Sequence, residues 1–213
     1  MTKPGILAIW QNPAKGHEEE LEHWYQSEHV IERVGVPGFR RGRRYEALDA
    51  PWGLFTYYET DAPEVLASDA YLARLNAPTE LTHWVMTNAL ARMSRTLCRI
   101  EHRAGDFRGA VAVAVKLHGE CDATEVADTL SRDHGVARVE FWTAATELAP
   151  PASDEEKLRG GDERIDACLL VETLRDADAR RAAEHVKTQL GGYVAEIGLY
   201  RLLCDLEAQP MAG

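Results

Sequence analysis

Residues 23–29, His-Trp-Tyr-Gln-Ser-Glu-His, bring aromatic rings and imidazoles together within two turns of an expected helix. Tyr25 stands one turn before His29, so their side chains share a face, which Leu21 and Trp24 border. An imidazole titrates near neutrality and can take or give a proton. A tyrosine beside it can donate a hydrogen bond to an oxygen that gains charge. The competing reading is structural: a histidine at the edge of an apolar stripe that only packs. Glu28 points well round the helix from His29 and reads as surface charge. His17, His23 and His29 recur every sixth residue, which points them in three directions around a helix. With no H-x-x-x-H spacing either, zinc and mononuclear iron are not expected, and no metal or cofactor is assigned. There is no G-x-G-x-x-G, Walker loop or G-x-S-x-G, so nucleotide-dependent and serine-hydrolase classes lose their usual support.

Other candidates come from neighbouring elements. In the strand read from GILAIWQN, Trp10 and Asn12 take one face and Leu7, Ile9 and Gln11 the other. Tyr45 and Tyr57 come from the next two strands. If these residues meet under the helix, they form an aromatic cavity with a few polar groups, as small-molecule sites do. Filling a bulky core is the plainer alternative. RRGRR, residues 40–44, places Arg41 and Arg43 on one side of a strand and Arg40 and Arg44 on the other, which splits the basic patch. Arg44 is the candidate to hold a carboxylate or phenolate. His83-Trp84 lies on an additional helix, with Trp84 a candidate lid.

The elements that must position these groups repeat. The order β-α-β-β-α-β ends at SRTLCRIEH and restarts at GAVAVAVKL, the ferredoxin-like order. The first helix spans HEEELEHWYQSEHVIERV, with Leu21, Trp24, Tyr25 and Ile31 as its apolar stripe. Asp61-x-x-Glu64 and Asp122-x-x-Glu125 read as helix caps. Gly191 reads as a C′ glycine ending the helix Asp176 to Leu190. A shift of 105 residues sets Ile6, Ala8 and Trp10 on Val111, Val113 and Val115, Leu21 on Val126, and Glu28-His29 on Asp133-His134. This predicts an α+β chain of tandem ferredoxin-like repeats, 1–105 carrying the pocket and 106–213 mainly scaffold, joined as a pseudo-symmetric barrel. In that register Trp24 and Tyr25 fall on Thr129 and Leu130, and Asn12 on Leu117, so the second repeat loses the aromatic lining. PPASDEEKLRGGDE reads as a polar, mobile linker inside it.

The 213 residues suffice for a real core, and 45% hydrophobic with 28% charged residues is the composition of a soluble globular protein. A net charge of −11 disfavours nucleic acid as a partner. No apolar run is long enough to span a membrane, and the apolar start is too short for a signal peptide. Four dispersed cysteines without C-x-x-C imply a reduced, cytoplasmic setting.

The first repeat resembles the EthD-type members of the dimeric α+β barrel superfamily. The resemblance runs from Asn12-Pro13 and the acidic helix start through Trp24-Tyr25-x-x-Glu28-His29 to Pro37-Gly38-Phe39. It covers about half the chain; the second repeat keeps only the topology and an acid-His pair. It implies a superfamily of isomerases, cyclases, dehydratases, cofactor-free monooxygenases and haem enzymes, among which fold does not choose. It allows haem on His29 or His83, which no feature of this sequence supports. The leading reading is a cofactor-independent lyase or isomerase acting on a small hydrophobic, aromatic or polycyclic substrate, in a monomer or homodimer. His29 with Tyr25 or Tyr57 would move the proton, and Trp10, Asn12, Trp24, Arg44, Tyr45 and Trp84 would bind. The alternatives are a carrier or sensor of a hydrophobic metabolite and a cofactor-free monooxygenase.

Overall fold

Strand β1 (Gly5–Pro13) is buried on both faces from Gly5 to Gln11, so both must be covered by other parts of the chain. The computed structural model shows what covers them; it describes residues 3–148 and 150–209, and the outermost ends of both expected repeats lie outside those residues. β1 pairs antiparallel with β3 (Leu54–Thr60) and β4 (Leu90–Ala104), and β2 (Phe39–Asp49) pairs with β3. The second half repeats this with β5 (Val111–Leu117) between β7 (Ala167–Thr173) and β8 (Val194–Glu207), and β6 (Val136–Ala144) beside β7. β2 pairs with β8 and β4 with β6, which closes all eight strands into one barrel. The α+β barrel expected from the sequence is the fold observed.

Closure gives each strand a face toward the lumen and a face toward the helices. Ile6, Ala8, Trp10, Tyr45, Phe55, Tyr57, Trp142, Leu170 and Tyr200 fill the lumen as one buried cluster. Leu7, Ile9, Tyr58 and Leu97 face the helices of the first half. Val111, Val113, Val115 and Leu117 face those of the second.

This alternation corrects the repeat register. Gly5 pairs with Thr60 and Arg99, whereas Val111 pairs with Thr173 and Arg201, so Gly5 corresponds to Val111, a shift of 106. In a strand one residue of slip moves every side chain to the opposite face. Trp10 therefore corresponds to Lys116 and Ile9 to Val115. In the helices, buried Leu21 and Trp24 correspond to buried Ala127 and Leu130. His29 no longer falls on His134, which is exposed in the turn after the second half's first helix.

The first helix is not α-helical throughout. α1 (Glu18–Trp24) passes into a π-helical turn, Tyr25–His29, and then α2 (Val30–Val34), with the Val30 N–H donating to the Tyr25 carbonyl five residues back. The wider turn rotates the inward face, so His29, Val30, Arg33 and Val34 are buried while Ile31 is exposed. A 3₁₀ turn (Pro63–Ala67) and α3 (Asp69–Leu75) follow β3, and α4 (Glu80–Asn88) precedes β4. Ser68 and Thr79 cap α3 and α4 through their side chains, and the expected cap at Asp61 does not form. α5 (Thr124–Leu130) and α7 (Asp176–Leu190) cover the second half. Gly191 has right-handed backbone angles, so it is not a C′ glycine of the left-handed kind.

The connection between β6 and β7, expected as mobile, contains α6 (Asp154–Leu158), capped by Ser153. It crosses onto the first half, where the Asp154 N–H donates to Asn76 and Glu163 bridges to Ser94.

The lumen and surface positions predict different costs. Trp10→Ala opens a hole in the lumen and should destabilise by about 3–5 kcal/mol in chemical denaturation. Trp84→Ala, at an exposed site on α4, should cost within about 0.5 kcal/mol. Similar losses from both would contradict this placement.

Candidate functional site

The expected pocket residues divide between opposite faces of the sheet. Trp10, Tyr45 and Tyr57 point into the lumen, and so cannot meet His29, which packs on the outer face. Asn12 accepts from the Gly53 N–H at 2.6 Å and clamps a turn. Trp84 is exposed, edge-on to His17. Arg44 lies over the Tyr25 ring at 4.0 Å and pairs with Glu22, in a groove on the far side of Tyr25 from His29. Of the nine nominated residues, His29, Tyr25 and Trp24 come together on the outer face, and Trp10, Tyr45 and Tyr57 come together in the lumen.

The lumen tyrosines are engaged in hydrogen bonds. Glu172 accepts from Tyr45 at 2.8 Å, from Tyr57 at 2.9 Å and from Arg43. Arg108 donates to Tyr57 and to Glu59, and Arg103 joins Glu59 to Glu140. Burial, and then the Glu172 charge, push the Tyr57 hydroxyl well above its ordinary pKa. Tyr57 is thus a fixed donor within a buried charge network. At the other mouth Lys116 sits over the Trp52 ring and pairs with Glu196.

His29 lines a narrow cleft of about 20 Å³ between the π turn, the outer sheet face, α3 and α6, room for about one water. Its ring stacks at 3.9 Å on Trp24 and meets Tyr25 edge-on at 5.3 Å. Trp24 is held by donating to Thr82, and Tyr25 by donating to Gln11. His29 is 5% exposed, and its Nδ1 is buried with no partner among the described residues. Burial first, then the nearby Arg33 and Arg159 charges, hold its pKa well below the ordinary value, so the ring is neutral.

The cleft is also strongly cationic, which the sequence reading missed. Arg33 follows His29 by four residues, so helical spacing alone put it on this face. Arg95 comes from the outer face of β4, and Arg159 follows α6. Arg159 pairs with Asp162. Arg33 and Arg95 both lie against the Tyr71 ring, at 5.9 and 6.0 Å. Glu155 of α6 enters from the second half and accepts from Arg33 Nη2 at 2.5 and 2.6 Å. No local sequence signal pairs residues so far apart.

In the arrangement observed, a porphyrin does not fit at His29. Trp24, Tyr25 and Tyr71 fill the space around it, whereas cofactor sites occupy roughly 300–1,000 Å³. His83 is exposed on α4. The other basic candidates are neutralised: Arg40 pairs with Asp61, and Arg41 with Asp205 and Glu207. No helix among the described residues is long and apolar enough to cross a membrane.

No protein-family model matches the chain, and no curated protein matches it. Solved structures do resemble it. A candidate monooxygenase of Fusobacterium nucleatum superposes with a TM-score of 0.61 at 10% identity, over 99% of this chain and 97% of that one. An anthrone oxidase-like protein gives 0.58 at 10% identity, over 100% and 96%. A candidate chlorite dismutase gives 0.55 at 11% identity, over 95% and 96%. Likeness at such identities carries the fold, the eight-stranded dimeric α+β barrel, and leaves the chemistry to the site.

The neutral His29 predicts an acid sensitivity. Its folded pKa lies below the unfolded value near 6.5, so as pH falls below 6.5 the unfolded state takes the proton first. Stability should fall there with a contribution of up to about 1.4 kcal/mol per pH unit, ending at the folded pKa. His29→Phe, which keeps a ring in place, should remove that part of the slope in denaturation series between pH 5 and 7. Equal slopes for both proteins would contradict it.

Proposed function

We propose that the His29 cleft, once it opens beyond the roughly 20 Å³ it has here, is an acid–base active site for a small aromatic or polycyclic substrate and works without a metal or organic cofactor. The observation that carries this is a neutral, buried imidazole with an unpartnered Nδ1, set beside guanidinium groups in a cleft. Buried polar atoms are paired in the great majority of cases, so an orphan in a cleft calls for a functional reason. A neutral imidazole is in the state that accepts a proton. The anion left on the substrate would lie near Arg33 and Arg95, whose fixed charges stabilise it without reorganisation. Trp24 and Tyr25 would wall the ring. Trp10, Asn12, Tyr45 and Tyr57 hold the scaffold in this reading, and Arg44 and Trp84 take no part.

The reaction class is isomerisation, dehydration or cyclisation, each of which begins with removal of an acidic proton. A second reading is cofactor-free oxygenation, in which dioxygen oxidises the same anion; the monooxygenase and oxidase names of the similar structures favour it. We read the first half as EthD-like and the chain as a tandem duplication at a shift of 106, with the second half as scaffold: Leu130 and Ser131 stand where the first half has Trp24 and Tyr25. Four unpaired cysteines support a reducing compartment such as the cytoplasm.

Deuterium wash-in from D₂O, followed on a panel of polycyclic phenols and ketones, tests proton abstraction directly. His29→Ala should slow exchange by roughly 10²- to 10⁴-fold. His134→Ala, at an exposed turn, should leave it unchanged. Oxygen uptake alongside exchange would favour the monooxygenase reading. Binding without exchange in the wild type would leave a carrier or sensor instead.

A further inference from the structure

The connection between β6 and β7 belongs to the second half but closes a cleft of the first. Its Glu155 is 3% exposed and Arg33 is 2% exposed, and one guanidinium nitrogen of Arg33 faces both carboxylate oxygens. A carboxylate supplied by a distant part of the chain thus occupies the cationic centre of the cleft.

The rest of the cleft is built for more negative charge than Glu155 brings. Arg95 is 7% exposed, donates to the Tyr71 hydroxyl at 2.9 Å, and has no carboxylate within ion-pair distance among the described residues. Arg33 Nη1 is buried without a hydrogen-bond partner there. Asp162 serves Arg159, and Glu155 meets Arg33 through Nη2 alone. Both guanidinium groups flank the Tyr71 ring, so cationic partners for an anionic group and an aromatic surface are offered at one place. The remaining lining, including Leu75 and Met86, is apolar.

Space for a ligand lies on both sides of the α6 segment. A cavity of about 420 Å³ shares Met93 and Arg159 with the cleft, and another of about 340 Å³ shares Arg95. Withdrawing α6 would join them to the cleft and give the volume that small-molecule sites have. Gly160 and Gly161, both at positive φ, end the segment and allow it to swing.

Building on the acid–base site above, we propose that the cleft takes an aromatic carboxylate, whose carboxylate replaces that of Glu155 on Arg33 as α6 is displaced. Glu155 then acts as a tethered competitor. The apparent affinity of the wild type is reduced by the fraction of molecules in which the plug is out.

The test uses 2-naphthoate and its neutral isostere 2-naphthamide, with affinities measured by calorimetry on the full chain. Glu155→Ala should bind 2-naphthoate roughly tenfold or more tightly than wild type, as expected when the plug is in place in nine molecules of ten or more. Arg33→Met in the Glu155→Ala background should lose that gain, and 2-naphthamide should show none. If circular dichroism shows Glu155→Ala unfolded, Glu155→Gln keeps the volume, removes the charge, and should shift affinity the same way. Equal affinity of variant and wild type for 2-naphthoate, or an equal gain for 2-naphthamide, would overturn the proposal. Adding His29→Ala to Glu155→Ala separates it from the catalytic reading. If His29 is not the base, the naphthoate gain still stands; if the gain is absent while His29-dependent exchange persists, the site is catalytic but takes a neutral ligand.

Discussion

Every assignment in this molecule rests on the closure of eight strands into one barrel, in which β1, β3, β5 and β7 are buried on both faces along nearly their whole length. Once the sheet closes, each strand residue belongs either to the lumen or to the helix side, and nothing can move a side chain between them short of a register slip. That constraint separates Trp10, Tyr45 and Tyr57 from His29, although all are aromatic or polar groups of one repeat. It also assigns Arg43 to the lumen, paired with Glu172, and its neighbour Arg44 to the outer side, over Tyr25.

The two sides treat buried charge differently. In the lumen, arginines and carboxylates alternate, and the Tyr45 and Tyr57 hydroxyls converge with Arg43 on Oε1 of Glu172. Such a network specifies the packing of the barrel and leaves little free for a ligand. On the outer face of the second half, Val, Ala and Leu pack α5 and α7 against the sheet as one apolar cluster. Among the described residues, the first half's outer face alone combines a neutral imidazole, flanking guanidinium groups and orphaned polar atoms. Local departures from the rules that stabilise a fold gather where function is expected. The π turn that carries His29 is of the same kind, since it gives up regular α-helical pairing to aim that side chain and Arg33 inward.

Much of the fold was legible in the sequence. Strand periodicity, acidic helix starts and the restart of β-α-β-β-α-β led to the barrel, and Trp24, Tyr25 and His29 were recognised as one group. The repeat register was missed by one residue because Val111, Val113 and Val115 are as apolar as Ala112 and Ala114, and apolarity alone does not tell which face of a doubly buried strand a residue takes. The hand of the π turn in shifting Ile31 outward has no marker in residue type. Arg33 was readable, four residues after His29, yet charge on a helix is usually solvated. Glu155 was not readable, since a long-range ion pair leaves no local pattern.

The central claim is that the ligand site lies between the π turn and the outer sheet face, with the lumen as scaffold. A crystal structure of the Glu155→Ala variant soaked with 2-naphthoate tests this most directly. The account predicts the carboxylate on Arg33, the rings against Tyr71 and beside His29, and the lumen unchanged. Naphthoate seated in the lumen between Tyr57 and Trp142, or in the groove beside Arg44, with the His29 cleft still closed, would contradict it.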